Sequence, residues 1–374
     1  MDYASTTPTS KAVVDAMLPY FSDYFYNPSA LYIQAKKVRS DLEDARAVIA
    51  NILQVRPVEV VFTAGSTEAN NMVIQGVMSQ FPDCSLLSSA IEHDSVLYAS
   101  KKFKHALMPV TSEGILQLDA LDALVSDETV LISCMLANNE VGVIQPVHEL
   151  VLRVQKIKAD RIQRGVRTPL YVHTDAAQAF NYEKVLPHQL GVDFAVVSGS
   201  KIYGPKQSAV LFVKQGIQLS PLLLGGGQEY GLRSGTENVP YCIGLAMAVQ
   251  ETSRMRVDEI QRIRQLQHFT FTELQSRFGA EINGSLEKRL PNNVHVYIHG
   301  VDNERLVMQL DERGILTATG SACHASSDEP SHVLKAMGFQ EERSKSSVRF
   351  TFGRQTTRQD VEYLLSVLGE LLQG

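Results

Sequence analysis

An aspartate and a lysine within one stretch, Val172 to Pro205, have the types and spacing that could do the most specific chemistry in this chain. Asp175 follows the apolar run Leu170-Tyr171-Val172, and Lys201 follows a second run, Phe194-Ala195-Val196-Val197. A strand-end carboxylate and a strand-end amine suit pyridoxal phosphate (PLP). The amine forms a Schiff base with the aldehyde, and the carboxylate keeps the pyridine nitrogen protonated so that the ring can accept electrons. Taken alone, the pair reads better as a buried Asp and a surface Lys in two unrelated loops. Other residues reverse that.

Ala64-Gly65-Ser66-Thr67 follows the run Val58 to Phe62 and opens a helical pattern. Free N–H groups, a glycine for close approach and two hydroxyls make a phosphate seat, although a plain cap by Ser66 or Thr67 accounts for the same residues. Glu92-His93 puts an imidazole after another apolar run, where it could stack on a heteroaromatic ring and shuttle protons, or be merely structural. In Asn138-Asn139-Glu140-Val141-Gly142 the amides could hold a substrate carboxylate or a ring oxygen, or form an Asx turn. Gly225 to Gln228 and Arg233 to Thr236 make a glycine-rich, basic loop suited to an anion site or a subunit contact. Cys323 stands among small polar residues from Thr319 to Pro330, which marks an exposed thiol with His324 beside it. Arg349, in SVRFTFG, could grip a carboxylate with two N–H groups, although a strand arginine more often faces water.

These groups need elements to position them. Helical spacing runs from Ser10 to Phe25, Gln34 to Leu53, Val147 to Arg164 and Asn238 to Phe278. Strand patterns fall at Val58 to Phe62, Cys84 to Ile91, Val130 to Leu136, Leu170 to Val172, Phe194 to Val197 and Ala209 to Val213. Apolar strands separated by helices predict a mainly parallel sheet covered on both faces, with ligands at the carboxyl ends of its strands. Thr63 to Thr67, Asp175 to Gln178 and Ser198 to Lys201 all fall at such ends. Beyond the long helix, strands at Asn293 to Ile298 and Val348 to Phe352 and helices at Asn303 to Arg313, Pro330 to Met337 and Asp360 to Leu372 predict a smaller α+β domain.

Composition narrows the class. The chain has 374 residues, 44% hydrophobic and 20% charged, as an ordinary globular protein has. A length of this order predicts two domains, or one large α/β domain with an appendage. Net charge is −6 with no long basic run, which speaks against nucleic acid as a direct ligand. No apolar run approaches the roughly 20 residues of a membrane span, and MDYASTTPTSK resembles neither a signal peptide nor a presequence, so the expected location is cytoplasmic. The four cysteines, Cys84, Cys134, Cys242 and Cys323, lack metal-type spacing.

Together these motifs resemble the cysteine desulfurases, PLP enzymes of the class V aminotransferase fold (fold type I), in the NifS/IscS-like subgroup with a long cysteine loop. DYASTTP, NPSAL, FTAGSTEANN, EH, NNEVGVIQP, HTDAAQA, SKIYGPK, RSGTEN, GSAC and SVRFTFGR carry the resemblance across nearly the whole chain. It implies an α/β fold: a large PLP-binding domain with a mainly parallel, seven-stranded type of sheet, and a small C-terminal α+β domain. The expected divisions are an N-terminal segment, 1–15, packing with the small domain; the large domain, 16–250; and the small domain, 251–374, with the cysteine loop at about 321–332.

The resemblance also implies roles. Lys201 holds PLP and later moves protons, Asp175 pairs with the pyridinium nitrogen, Gln178 contacts the ring phenolate oxygen and His93 stacks on the ring. Ser66, Thr67, Ser198 and Ser200 serve the phosphate, with Thr236 reaching it from the second subunit of a homodimer. Asn139 and Arg349 grip the carboxylate of L-cysteine, and Cys323 takes its sulfur as a persulfide, releasing alanine. Cys323 then passes sulfur to an acceptor protein for iron–sulfur clusters or tRNA and cofactor thiolation; its one metal contact would be transient, with a partner's cluster. Three positions depart from the family. Ser200 stands where a histidine normally precedes the lysine, which predicts weaker PLP retention; Tyr32 follows NPSAL where histidine is usual; and His324 follows the cysteine. Competing readings are a selenocysteine lyase or transaminase on the same fold, or a non-catalytic scaffold for sulfur-acceptor proteins.

Overall fold

The computed structural model describes residues 1–320 and 330–373. Cys323 and His324, singled out above, lie outside the described residues. The chain opens with α1 (Lys11–Met17), α2 (Pro19–Ser22) and α3 (Ile33–Leu53). It continues through β1 (Val60–Thr63), α4 (Ser66–Met78), β2 (Ser85–Ser89), α5 (Asp94–Ser100), β3 (His105–Met108), α6 (Leu121–Leu124), β4 (Thr129–Ser133) and α7 (Val147–Gln163). Next come β5 (Tyr171–Asp175), α8 (Pro187–Leu190), β6 (Phe194–Ser198), β7 (Ala209–Val213) and the 40-residue α9 (Val239–Phe278). The last stretch holds β8 (Glu281–Ile282), β9 (Asn293–Tyr297), α10 (Asn303–Asp311), α11 (His332–Ala336), α12 (Glu341–Lys345), β10 (Ser347–Thr351) and α13 (Arg358–Gln373).

Seven strands form the central sheet in the order β1-β7-β6-β5-β4-β2-β3. Parallel pairing links β3, β2, β4, β5 and β6, whereas β7 runs antiparallel to both β6 and β1. Two reversals restore direction, so β1 points the same way as β6. The carboxyl ends of β1, β2, β4, β5 and β6 therefore share one edge, and the segments that leave them converge.

Alternation along the strands builds a core on each face. Phe194, Val196 and Leu211 pack with Met72, Val73 and Val77 of α4, while Ala195, Val197 and Phe212 turn to the opposite face with Leu42 and Ile49 of α3. Each such Val, Leu, Ile, Met or Phe side chain, fully buried, contributes about 1.5–3 kcal/mol. A separate cluster covers the second sheet, β10-β9-β8, where Val294, Val296, Val348 and Phe350 pack with Leu274, Leu306, Leu364 and Leu368. Spanning about 60 Å at helical rise, α9 packs on α1 and α3 near one end and on β9 and α13 near the other.

Several boundaries moved from their sequence positions, among them β4, which ends at Ser133 and not at Leu136. The helical spacing from Ser10 to Phe25 breaks at Leu18, and Pro19 restarts it as α2 because its ring cannot continue the preceding turn. The apolar run at Leu170 extends into a strand through His173 and Thr174, which makes Asp175 the last strand residue.

Candidate active site

Ser66 follows β1, His93 follows β2, Asn139 follows β4, Asp175 ends β5 and Lys201 follows β6. With Arg349 from β10, these six side chains line one cleft. Sheet topology thus gathers residues that lie far apart in the chain, and Gln178 joins them from the turn after Asp175.

On the floor, buried Asp175 accepts two N–H groups. Its Oδ1 takes the Ala177 amide at 2.8 Å, and its Oδ2 takes Nδ2 of Asn70 at 2.7 Å. Asn70, on α4, also donates to Ser95 Oγ at 2.9 Å. His93 is the N-cap of α5; its Nδ1 accepts the Ser95 amide at 3.1 Å and lies 2.9 Å from Ser95 Oγ. The sequence reading passed over Asn70 and Ser95. Asn70 stands one turn beyond Ser66 within FTAGSTEANN, and an amide in an otherwise apolar helical stripe is the signal that could have found it.

The opposite wall has a different origin. Lys201 Nζ donates to the carbonyls of Ala4, at 2.9 Å, and of Ser5. Gln178 Nε2 donates to the Ala4 carbonyl at 2.9 Å. Arg349 is 1% exposed, contrary to the ordinary habit of a strand arginine. Its guanidinium donates to the Asn139 carbonyl and Asp2 Oδ1, both at 2.8 Å, and to Ser5 Oγ at 3.0 Å. Its Nε is buried without a partner among the described residues. Residues 2–7 therefore run as a strap between two elements. Ala4 N donates to Thr351 Oγ1 of β10, and Thr7 N donates to the Ser200 carbonyl beside Lys201. Gly353 is required under this strap, because a Cβ there would lie 2.2 Å from the Tyr3 ring.

Two titratable groups sit beneath the floor with no solvent. Burial pushes the Glu92 carboxyl up to about 8, assisted by the charge of Asp175 and opposed by the Met135 amide that donates to its Oε1. Burial likewise lowers the imidazole of His173 to about 4, and its Nδ1 pairs with Ser133 Oγ at 2.8 Å. Burial raises the Cys134 and Cys242 thiols, which keeps them protonated and unreactive.

The donor set fits a phosphorylated aldehyde. An amine and an acceptor carboxylate border the same cleft, and α4 opens beside them with Gly65 (φ 135°) as an N-cap that offers no side chain. Its first-turn N–H groups lack intrahelical partners and suit an anion. Ser198 and Ser200 hydroxyls stand 3.1 Å apart under the lysine turn. Thr67 is exposed on the first turn of α4. Thr236 is exposed on the loop before α9 and does not line the cleft.

The family profile described as aminotransferase class-V matches residues 1–364. The chain is 37% identical to cysteine desulfurase IscS 1 of Archaeoglobus fulgidus, with 100% of this chain and 96% of the relative covered. It is 37% identical to cysteine desulfurase IscS of Dictyoglomus turgidum, covering 100% and 94%. Among solved structures it is similar to a NifS-like protein, with a TM-score of 0.89, 31% identity and coverage of 100% and 98%. It is also similar to a structure described as SspA in complex with cysteine, with a TM-score of 0.80, 30% identity and coverage of 94% and 97%.

Proposed function

The chain belongs to the class-V aminotransferase family, and from that footing we propose that it is a PLP-dependent cysteine desulfurase. The observation that carries this reading is the convergence of Lys201, Asp175, His93 and Arg349 on one cleft, in a chain similar along its full length to cysteine desulfurases. When bound, PLP supplies an aldehyde for amines and a ring that accepts electrons from the substrate carbon. Lys201 Nζ would attach it, Asp175 would face its ring nitrogen, and His93 would cover its face. Ser66, Thr67, Ser198 and Ser200 would receive the phosphate.

The remaining residues act on L-cysteine. Arg349 is pre-oriented by the Asn139 carbonyl, Asp2 and Ser5, so its buried guanidinium can meet a carboxylate with little reorganisation. Lys201, whose amine lines the same cleft, would take the α-proton at Nζ. Cys323 supplies the thiol in the net reaction: L-cysteine and the Cys323 thiol give L-alanine and a Cys323 persulfide. The persulfide then passes to an acceptor protein.

A homodimer completes the assignment. Phe25, Leu31 and Ile33 on one segment and Leu224 on the loop before α9 are large apolar side chains left exposed on one chain, a surface suited to a second copy. Thr236 stands on that loop away from its own chain's cleft, as a residue serving the partner's phosphate would.

The test is alanine and sulfide release from L-cysteine with PLP and a reductant, for the native chain and for Cys323→Ala. Release from the native chain alone is the expected result. Equal alanine formation by both proteins would overturn the persulfide step.

A further inference from the structure

Four groups make a continuous path across the floor of the cleft: Asp175 Oδ2, Asn70 Nδ2, Ser95 Oγ and His93 Nδ1, in steps of 2.7, 2.9 and 2.9 Å. The direction of every hydrogen bond in it is determined from both ends. At one end a carboxylate oxygen can only accept from the amide, so Asn70 must present its NH2, and that group's second hydrogen goes to Ser95 Oγ. Ser95 Oγ, having accepted, has its own hydrogen to give to His93 Nδ1. At the other end the backbone N–H of Ser95 points at the same Nδ1 from 3.1 Å, and an amide N–H can only donate. The amide N–H requires a lone pair on Nδ1, and the Ser95 hydroxyl, which keeps its own hydrogen after accepting from Asn70, then donates to the same atom.

We propose that Asn70 and Ser95 are positioning residues that hold His93 as the neutral tautomer with its proton on Nε2 and tie its ring to Asp175. The inference rests on the reading of this cleft as the catalytic one and adds to it. A His93 held this way offers a flat face and a hydrogen-bond donor at Nε2. Putting a proton on Nδ1 would set two donors against each other and force the Ser95 hydroxyl to turn. One amide, Asn70, also fixes both the carboxylate at one side of a bound ring and the imidazole at another.

The tautomer is read by nitrogen NMR of protein carrying 15N-labelled histidine, with His93 assigned by its loss in His93→Gln. In the native chain Nδ1 is expected at the shift of an unprotonated ring nitrogen and Nε2 at that of a protonated one. An averaged pair, or a protonated Nδ1, overturns the proposal without any variant. In Ser95→Ala and Asn70→Leu, Nδ1 keeps the Ser95 amide donor but loses the hydroxyl or its orientation, so the Nδ1 resonance is expected to shift while the proton stays on Nε2. The turnover number for L-cysteine should drop roughly tenfold with KM within about twofold, and Ser95→Thr should recover most of it. His93 resonances unchanged in both variants overturn the relay even if turnover falls. Because the spectrum needs no turnover, a chain inactive on L-cysteine would sink the desulfurase reading and leave the tautomer to be judged by its own signals.

Discussion

The floor and the far wall of the cleft are built in opposite ways. The floor is made of neighbours: strand ends of one sheet, two adjacent helices and hydrogen bonds of 2.7 to 2.9 Å among buried side chains. The wall around Arg349 is made of strangers, since its guanidinium meets Asp2 across a separation of 347 residues. A floor of this kind is rigid because every element in it is fixed by the sheet. The wall holds only while residues 2–7 stay stitched to both Thr351 and Ser200. On the proposed reading, the floor holds Asp175 and His93 in place, while Lys201 and Arg349 both lean on the strap of residues 2–7.

Substitutions can break that contrast, beginning with the largest effect. Lys201→Ala should lower alanine formation by at least about 10³-fold, because no other amine lines the cleft among the described residues; steady-state assay measures it. Arg349→Lys, a change on the wall, should raise KM for L-cysteine about 10- to 100-fold with a much smaller change in turnover number, since a point charge replaces a fork. A loss confined to turnover number would move Arg349 out of substrate recognition.

Beneath the floor, Glu92 keeps its proton in the folded chain up to about pH 8, whereas an unfolded glutamate releases it near its ordinary value of 4.5. Folding therefore holds a proton that unfolding gives up, and stability falls as pH rises through that window, by up to about 1.4 kcal/mol per unit. His173 acts with the opposite sign, losing stability as pH falls toward about 4. Denaturation midpoints compared between the native chain and Glu92→Gln isolate the first effect, and parallel pH curves would refute it. Smallest, Asp2→Ala should cost about 1–2 kcal/mol of stability, because it strips one partner from a buried guanidinium but at a half-open position. A thermal melt with no shift would mean that Ser5 and Asn139 hold Arg349 unaided.

The same contrast governs how much could be read from the chain itself. Ala209–Val213 was expected and found as a strand because an unbroken apolar run leaves little choice. The residues after β1, β2, β4, β5 and β6 could be expected together because these strands end at one sheet edge, β1 by way of the two reversals through β7. β3 was not, since His105–Met108 is a half-exposed edge strand with little apolar pattern. Nor could Asp2 be matched to Arg349, for nothing local in either segment encodes a pairing made only after both sheets exist. Asn70 and Ser95 were passed over because a lone amide or hydroxyl has too many ordinary uses to stand out.

The antiparallel strand β7 has one more consequence, for the order of birth on the ribosome. Val60–Thr63 has β7 as its strand partner, so it has nothing to pair with until Ala209–Val213 has been made. At ordinary elongation rates that wait is on the order of ten seconds, during which the apolar faces of α3 and α4 lack β7. Residues 2–7 wait longer still, for the chain near Thr351. A nascent chain of this kind should spend much of its synthesis as a client of holding chaperones, and its amino acid grip should be the last part of it to be finished.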